Sequence, residues 1–303
     1  MKIKFTIVLI IFIGHFSIGQ VNTFFTQDYF ISNFGQEMVK ADEAYKLMIK
    51  NGLKDLCMTR VKFSFGSDQS EKLEGLKQMI QATYPFEAGD IKKQGANWEM
   101  VCETNEIPIT SDHVLYLALD MYKRGYEFDS KPDSYVGLFD AKNQRFPDLN
   151  KLKEEAYFNK GMECYLKGDL SGAIINWSLT ISINPEDPNA YYSRAVVKDA
   201  LFTWKAALKD YDKALELAPG FVGALINRGN LKLENGDNEG ALDDYNRVLT
   251  LEQNDREIIT SIYFNRGNAN YLLDNKTGAC EDWTRAMELG AEYAKERIEE
   301  YCR

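Results

Sequence analysis

Two adjacent stretches decide the fold: PNAYYSRAVVKDALFTWKAALKDYDKALELAPGF, residues 188–221, and VGALINRGNLKLENGDNEGALDDYNRVLTLEQND, residues 222–255. Each stretch has a small residue, an alanine twelve residues later and a tyrosine four residues after that. The pattern recurs once before and once after these stretches, and its full set is Gly161, Ala195, Gly229, Gly267, then Ala173, Ala207, Ala241, Ala279, then Trp177, Tyr211, Tyr245, Trp283. A fixed period of this length predicts a stack of helical hairpins.

The small and aromatic positions have separate packing roles. Small residues allow the two helices of a hairpin to approach closely, and the aromatic ring fills the space beside the next helix. The pattern resembles the tetratricopeptide repeat family over about residues 154–303, which implies an all-α solenoid with a concave groove that binds protein or peptide. We expect four repeats and a capping helix, at residues 154–187, 188–221, 222–255, 260–293 and 294–303.

Comparison of the copies predicts an ion pair inside each repeat. An arginine and an aspartate occur together in the last three repeats and are both replaced in the first; the pairs are Arg194 with Asp210, Arg228 with Asp244, and Arg266 with Asp282, against Lys160 with Asn176. We expect a bridge between the two helices of each repeat. The alternative is a row of arginines that binds an anion.

The turn inside the second repeat departs from the others. Phe202 and Thr203 stand where the first and third repeats have Gly168-Asp169 and Gly236-Asp237. We therefore expect this turn to be built differently.

The resemblance places the first helix of each repeat along the groove. The candidate partner-binding residues on these helices are aromatic or amide: Phe158, Tyr192, Asn227, Asn230, Asn265, Asn268 and Tyr271. An asparagine amide can both donate to and accept from a peptide backbone, so these positions favour an extended segment of a partner. The alternative is that the asparagines face water or pair within the array.

The N-terminal half has a different pattern. Val61, Phe63 and Phe65 alternate with polar residues, which predicts a strand. Further alternating and helical segments give the order βαββαβ, so we expect a ferredoxin-like α+β domain at residues 56–145. Residues 20–55 predict a helical N-terminal extension.

Several short motifs lie within this domain: Phe63-Ser64-Phe65 before Ser67-Asp68, Trp98, Ile107-Pro108-Ile109-Thr110 and Tyr126-Glu127-Phe128-Asp129. They resemble the ribonuclease E inhibitor family, regulator of ribonuclease activity B, over about residues 58–140. The resemblance implies a ferredoxin-like fold that binds a cytoplasmic ribonuclease. An export signal contradicts that cellular role, so we expect the fold without that activity. Regulation or inhibition of an enzyme through this domain is the alternative function.

Residues 1–19 have the pattern of a secretory signal peptide. Lys2 and Lys4 precede an apolar run at residues 5–13, and small residues then precede Gln20. The run is shorter than the roughly 20 apolar residues of a membrane span, so we expect no membrane insertion once the signal is removed. An exported protein, periplasmic or secreted, is the prediction, with an uncleaved anchor as the alternative.

Five cysteines follow, and export would permit disulfides. Cys280 and Cys302 are one candidate pair, because the capping helix should pack against the last repeat. Cys57 and Cys102 are a second, on strands expected to be neighbours. Cys164 is expected to be a buried, inert thiol rather than a nucleophile.

Composition argues against several function classes. The chain has 36 Lys and Arg against 46 Asp and Glu, a net charge of −10, which would repel nucleic-acid phosphates. His113 is the only histidine beyond the signal, and its place after Thr110 predicts a structural role at a helix start. We expect no catalytic residues, no metal site and no cofactor. The sequence predicts an exported, non-enzymatic adaptor or scaffold that binds protein or peptide.

Overall fold

A computed structural model describes residues 22–251 and 255–302. The predicted signal peptide lies outside the described residues. The chain forms two compact units, Met1–Pro185 and Glu186–Arg303. The first helical repeat belongs to the N-terminal unit, so the division falls one repeat beyond the change from mixed α/β to all-α structure.

An antiparallel sheet forms the centre of the N-terminal unit. Its strands are β1 Cys57–Ser67, β2 Phe86–Gln94, β3 Asn97–Thr104, β4 Ile107–Ile109 and β5 Lys131–Leu138. β1 pairs with β3, β4 and β5, and β2 pairs with β3. Lys62 has Cα partners on both β3 and β5, so these strands flank β1.

Three helices accompany the sheet: α1 Gln27–Lys50, α2 Ser70–Thr83 and α3 Ser111–Glu127. The alternation predicted for β1 places Val61, Phe63 and Phe65 in the core, where they meet the buried faces of α2 and α3. Thr110 caps α3 by accepting from the N–H of His113 at 3.2 Å, and the His113 ring bonds the Pro108 carbonyl at 2.6 Å. The histidine is therefore structural.

Asp129 fastens the segment that precedes α1. Its carboxylate accepts from the backbone N–H groups of Thr23, Phe24 and Phe25 and from Lys72 at 2.6 Å. Burial opposes ionisation, but these donors, Lys72 above all, lower the pKa of Asp129 to about 2. The segment is thus held by a fully charged carboxylate at neutral pH.

The first repeat comprises α4 Glu154–Lys167 and α5 Leu170–Ile183. A Cβ on Gly161 would lie 2.6 Å from Nε1 of Trp177, so only glycine allows this approach. α5 packs on α3 through a buried polar network.

This α3–α5 network centres on Asp120. Its carboxylate accepts from the Tyr84 hydroxyl at 3.0 Å and from the Ser171 N–H at 2.9 Å. Arg124 donates to the Tyr84 hydroxyl at 2.9 Å and to the Gly168 carbonyl at 2.6 Å. Asp120 is 0% exposed, and burial raises its pKa against the opposing charge of Arg124.

The C-terminal unit consists of three helical hairpins and a final helix. Its helices are α6 Pro188–Ala200, α7 Trp204–Leu217, α8 Val222–Glu234, α9 Asn238–Thr250, α10 Arg256–Leu272, α11 Lys276–Glu288 and α12 Ala294–Tyr301. A Cβ on Gly229 would lie 2.8 Å from Tyr245, and one on Gly267 would lie 2.6 Å from Trp283. The small-residue positions therefore have the predicted packing role.

The second repeat's turn corrects one expectation. Phe202 has φ 61°, in the left-handed region where Gly168 has φ 83° and Gly236 has φ 85°. The turn is therefore built in the same way despite the missing glycine. A non-glycine residue there is strained, and Thr203 supports it by donating its hydroxyl to the Lys198 carbonyl at 2.7 Å.

Within the described part of the chain, no helix has both the length and the apolar character required to cross a bilayer.

Candidate functional site on the C-terminal repeats

The candidate site lies on α6, α8 and α10, the first helices of the second, third and fourth repeats. Asn227 Nδ2 donates to the Tyr192 hydroxyl at 3.3 Å, which joins α8 to α6. Asn265 Nδ2 donates to Asn230 Oδ1 at 3.0 Å, which joins α10 to α8. Equivalent helices of stacked repeats run in the same direction. Both contacts join residues that are 35 apart in sequence, so α6, α8 and α10 are in matched register. We call the surface formed by Tyr192, Asn227, Asn230, Asn265, Asn268 and Tyr271 the amide face.

Groups from the second helices fix the orientation of two amides. Trp283 Nε1 lies 3.1 Å from Asn268 Oδ1, and an indole N–H can only donate, so Asn268 must present its oxygen inward. The Tyr245 hydroxyl donates to Asn230 Oδ1 at 2.8 Å. Burial, together with the charges of Glu234 and Asp244, raises the pKa of Tyr245 and keeps that hydroxyl a donor. The –NH2 groups of Asn230 and Asn268 are thereby directed away from the second helices.

These bonds change the sequence-based interpretation of the asparagines. The oxygens of Asn230 and Asn268 and the –NH2 groups of Asn227 and Asn265 pair within the array, as the alternative interpretation expected. Among residues 22–251 and 255–302, the –NH2 groups of Asn230 and Asn268 show no acceptor. The amide face therefore offers a partner hydrogen-bond donors at two fixed points.

The aromatic candidates are half-buried against their own units. The ring centroids of Tyr192 and Phe221 are 4.7 Å apart, and those of Tyr271 and Tyr301 of α12 are 4.5 Å apart. Phe158 lies on α4 in the N-terminal unit, 6.5 Å from Trp177. The structure therefore brings six of the seven candidates together on one unit, and Phe158 belongs to the other.

The predicted ion pairs inside the repeats are confirmed. Each arginine holds its aspartate with two hydrogen bonds of 2.5–2.9 Å: Arg194 with Asp210, Arg228 with Asp244, and Arg266 with Asp282. A further donor joins each pair at 2.9 Å, and these are Lys198, Lys232 and Asn270. The guanidinium groups are occupied by carboxylates, which disfavours the anion-binding alternative.

Two arginines also reach the preceding repeat. Arg228 Nη1 donates to Asp212 at 2.6 Å, and Arg266 Nη1 donates to Asn246 at 2.9 Å. Asp212 and Asn246 occupy equivalent positions on α7 and α9. Each of these two guanidinium groups thus bonds the two helices of its own hairpin to each other and bonds that hairpin to the preceding one.

Two carboxylates on the same face were missed by the sequence reasoning. Asp199 follows Tyr192 on α6 by seven residues, and Glu234 follows Asn227 on α8 by seven residues. Burial raises the pKa of Asp199 to about 6. Burial and the charge of Asp199 raise that of Glu234. The seven-residue spacing from two candidate positions was the signal that could have found them.

The cysteine predictions have different outcomes. Cys280 and Cys302 form a disulfide with a Cα–Cα distance of 5.7 Å, which fastens α12 to α11. The expected Cys57–Cys102 bridge is wrong, because both residues are buried free thiols. Cys102 lies opposite Phe63, six residues along β1 from Cys57, a separation of about 20 Å. Cys164 is also a buried free thiol, and burial raises its pKa to about 12.

In the described ranges, no three His, Cys, Asp or Glu side chains converge as a metal site requires.

Comparison with known proteins identifies the repeats. The tetratricopeptide repeat family matches residues 222–255, the segment that carries Asn227 and Asn230. The third helical hairpin is therefore similar to this family.

Two curated relatives match part of this chain. DnaJ homolog subfamily C member 3 of Bos taurus is 33% identical over 103 residues, which is 34% of this chain and 20% of that protein. Hsp70-Hsp90 organizing protein 2 of Arabidopsis thaliana is 26% identical over 153 residues, covering 48% of this chain and 26% of that protein. The chain thus spans about a quarter or less of these relatives.

Among solved structures, the TPR2B domain of yeast Sti1 in complex with pHsp70 is similar at 26% identity. The match covers 40% of this chain and 98% of that chain, with a TM-score of 0.38.

Proposed function

We propose that this protein is a non-enzymatic adaptor that binds an extended segment of a partner protein on the amide face. The observation that supports it most directly is the fixed orientation of Asn230 and Asn268, whose –NH2 groups are available as donors to backbone carbonyls. The Arabidopsis relative is named as an Hsp70-Hsp90 organizing protein, and an organising role agrees with an adaptor. A partner would gain main-chain hydrogen bonds without the protein having to reorder those side chains.

The test uses a substitution that keeps the internal bonds. Asn230→Asp and Asn268→Asp retain an oxygen for Tyr245 and Trp283 but remove the –NH2 donors. Random peptides displayed on phage are selected on the wild-type protein, and the affinity of one selected peptide is then measured. We expect the double variant to bind about tenfold more weakly, a loss of about 1.4 kcal/mol.

The control variant adds one negative charge outside the amide face. Asn246 is exposed on α9, and Asn246→Asp keeps its oxygen for Arg266. Measurement in about 0.5 M salt screens the added charges in all variants. Equal affinity of wild type and the double variant would contradict binding at the amide face.

Export is part of the proposal, and the pattern of residues 1–19 supports it. Protein purified from the periplasmic or extracellular fraction should begin at Gln20 when its N-terminus is sequenced. A chain that keeps Met1 and stays in the cytosol would overturn this part.

The N-terminal unit offers a second candidate function, regulation or inhibition of an enzyme. We propose a ferredoxin-like assignment for its sheet, supported by the strand order β2-β3-β1, by β5 beside β1, and by the placement of α2 and α3 between strands. α3 contacts both α1 and α5, so a partner would have to use other parts of the domain. A chain ending at Pro185 that keeps the binding of the whole protein would favour this function over the amide face.

A further inference from the structure

The register of α6 and α8 places Asp199 beside Glu234 at one end of the amide face, and the charge of Asp199 acts on Glu234. Seven residues are about two helical turns, so each carboxylate shares a helix face with the residue two turns earlier. Those earlier residues, Tyr192 and Asn227, are in contact at 3.3 Å across α6 and α8. Because the two helices are parallel, the next pair with the same 35-residue offset is Asp199 with Glu234.

The same register places the two carboxylates next to an outward donor. Glu234 follows Asn230 by four residues, which is about one turn along the same face of α8. The charge of Glu234 also acts on Tyr245, whose hydroxyl bonds Asn230. If a backbone carbonyl of the partner segment accepts a hydrogen bond from Asn230, a nearby side chain of that segment would therefore lie close to Asp199 and Glu234.

The basic residues of α6 and α8 form ion pairs with other carboxylates. Arg194 and Lys198 bind Asp210, and Arg228 and Lys232 bind Asp244. Among the described residues, neither Asp199 nor Glu234 forms an ion pair. Asp199 is half-buried and Glu234 is exposed, and the charge of Asp199 raises the pKa of Glu234. The two carboxylates therefore repel each other, which is unfavourable for the unbound protein. A cationic group placed between them would remove that repulsion.

We propose that the amide face selects a partner segment with a lysine or arginine whose side chain lies between Asp199 and Glu234. This inference rests on the proposed function and adds a charge requirement to it. The ligand would provide the positive charge and the repeats the negative charge. An arginine would bond both carboxylates through its planar fork, and a lysine would act as a single charge between them.

The experiment compares peptide selections on two full-length proteins, wild type and Asp199→Asn/Glu234→Gln. The substitutions keep side-chain size and remove only the charges. We expect wild-type selections to share a Lys or Arg at one fixed position and the variant's selections to lack it. In one selected peptide, Lys→Met should weaken wild-type binding about tenfold and variant binding less than about twofold. Asp243→Asn/Glu239→Gln removes two exposed carboxylates from α9 and should behave as wild type.

The outcomes separate the two proposals. Peptides that depend on Asn230 and Asn268 but show no basic position, or an equal Lys→Met loss in both proteins, overturn the charge requirement alone. Failure of every selected peptide to depend on Asn230 and Asn268 overturns binding at the amide face and the charge requirement with it. Thermal unfolding of the Asp199→Asn/Glu234→Gln protein checks that it is folded, and its midpoint should not fall below that of wild type.

Discussion

The two compact units satisfy their buried charges in different ways. In the N-terminal unit, Asp120 is held by groups from three separate parts of the chain, on Tyr84, Arg124 and Ser171. In the C-terminal unit, one arrangement of arginine, aspartate and a third donor is repeated three times within local hairpins. The C-terminal unit therefore has three equivalent ion pairs that each stabilise one hairpin, whereas the Asp120 network occurs once among the described residues.

The largest expected effect is on the single network. Asp120→Ala leaves the Arg124 guanidinium without its buried carboxylate and the Ser171 N–H without an acceptor. We expect a loss of about 3–5 kcal/mol in the free energy of unfolding, measured by urea titration. Asp112→Ala, on the exposed first turn of the same helix, should cost less than about 1 kcal/mol. Similar losses for the two variants would show that the network does not stabilise the fold.

The two units should respond differently to reduction, because the disulfide lies in the C-terminal unit. Cys280 and Cys302 are 22 residues apart, and opening a loop of this size should cost about 3 kcal/mol. Reductant should therefore lower the thermal midpoint of the C-terminal unit and leave that of the N-terminal unit, which has three free cysteines, unchanged. A Cys280→Ser/Cys302→Ser protein that still responds to reductant would refute this assignment.

A smaller loss is expected at one repeated pair. Arg228→Ala removes two hydrogen bonds from Asp244, which is 1% exposed, but Lys232 remains bonded to that carboxylate. We expect a loss of about 2 kcal/mol, less than that of Asp120→Ala. Arg285→Ala breaks an exposed pair with Glu288 and should change stability by less than about 0.5 kcal/mol. If Arg228→Ala equals Asp120→Ala, the contrast between repeated and single networks fails.

The smallest expected effect is a gain in stability instead of a loss. The pKa of Asp199 is raised to about 6 in the folded protein, so its ionisation opposes folding. Its unfavourable contribution is absent below about pH 3.8, develops as pH rises from about 3.8 to about 6, and is fully present above that. Asp199→Asn should therefore stabilise the protein by about 1 kcal/mol at pH 7, after allowance for solvent screening, and by nothing near pH 3.5. A stabilisation that does not change between these pH values would contradict this account.

The sequence predicted the features that recur in each repeat and those that depend on residues close together in the chain. Gly161, Gly229 and Gly267 face aromatic rings as expected, and the arginine–aspartate pairs were visible because both partners change together between copies. The predicted combination of strands and helices in the N-terminal half is also found, as a small antiparallel sheet accompanied by helices. These features depend on short spacings, and a single sequence contains the spacings directly.

What the sequence did not show depends on long-range placement. The Asp120 network joins residues 36 and 51 positions apart, with no periodic pattern to indicate the contact. Cys57 and Cys102 lie on paired strands, but the register separates them along β1. The inward orientation of Asn268 was also not predictable, because it depends on where the donor of Trp283 lies after packing.

The third hydrogen bond of each arginine has a consequence for how the repeats come apart. Arg228 links the second and third repeats through a charged acceptor, Asp212, and Arg266 links the third and fourth through a neutral one, Asn246. In a linear array, such links are the coupling terms that make neighbours unfold together. Concentrated salt weakens the ionic junction more than the neutral one, because Asp212 is exposed. The array should then lose cooperativity between the second and third repeats first, while the last two repeats remain coupled.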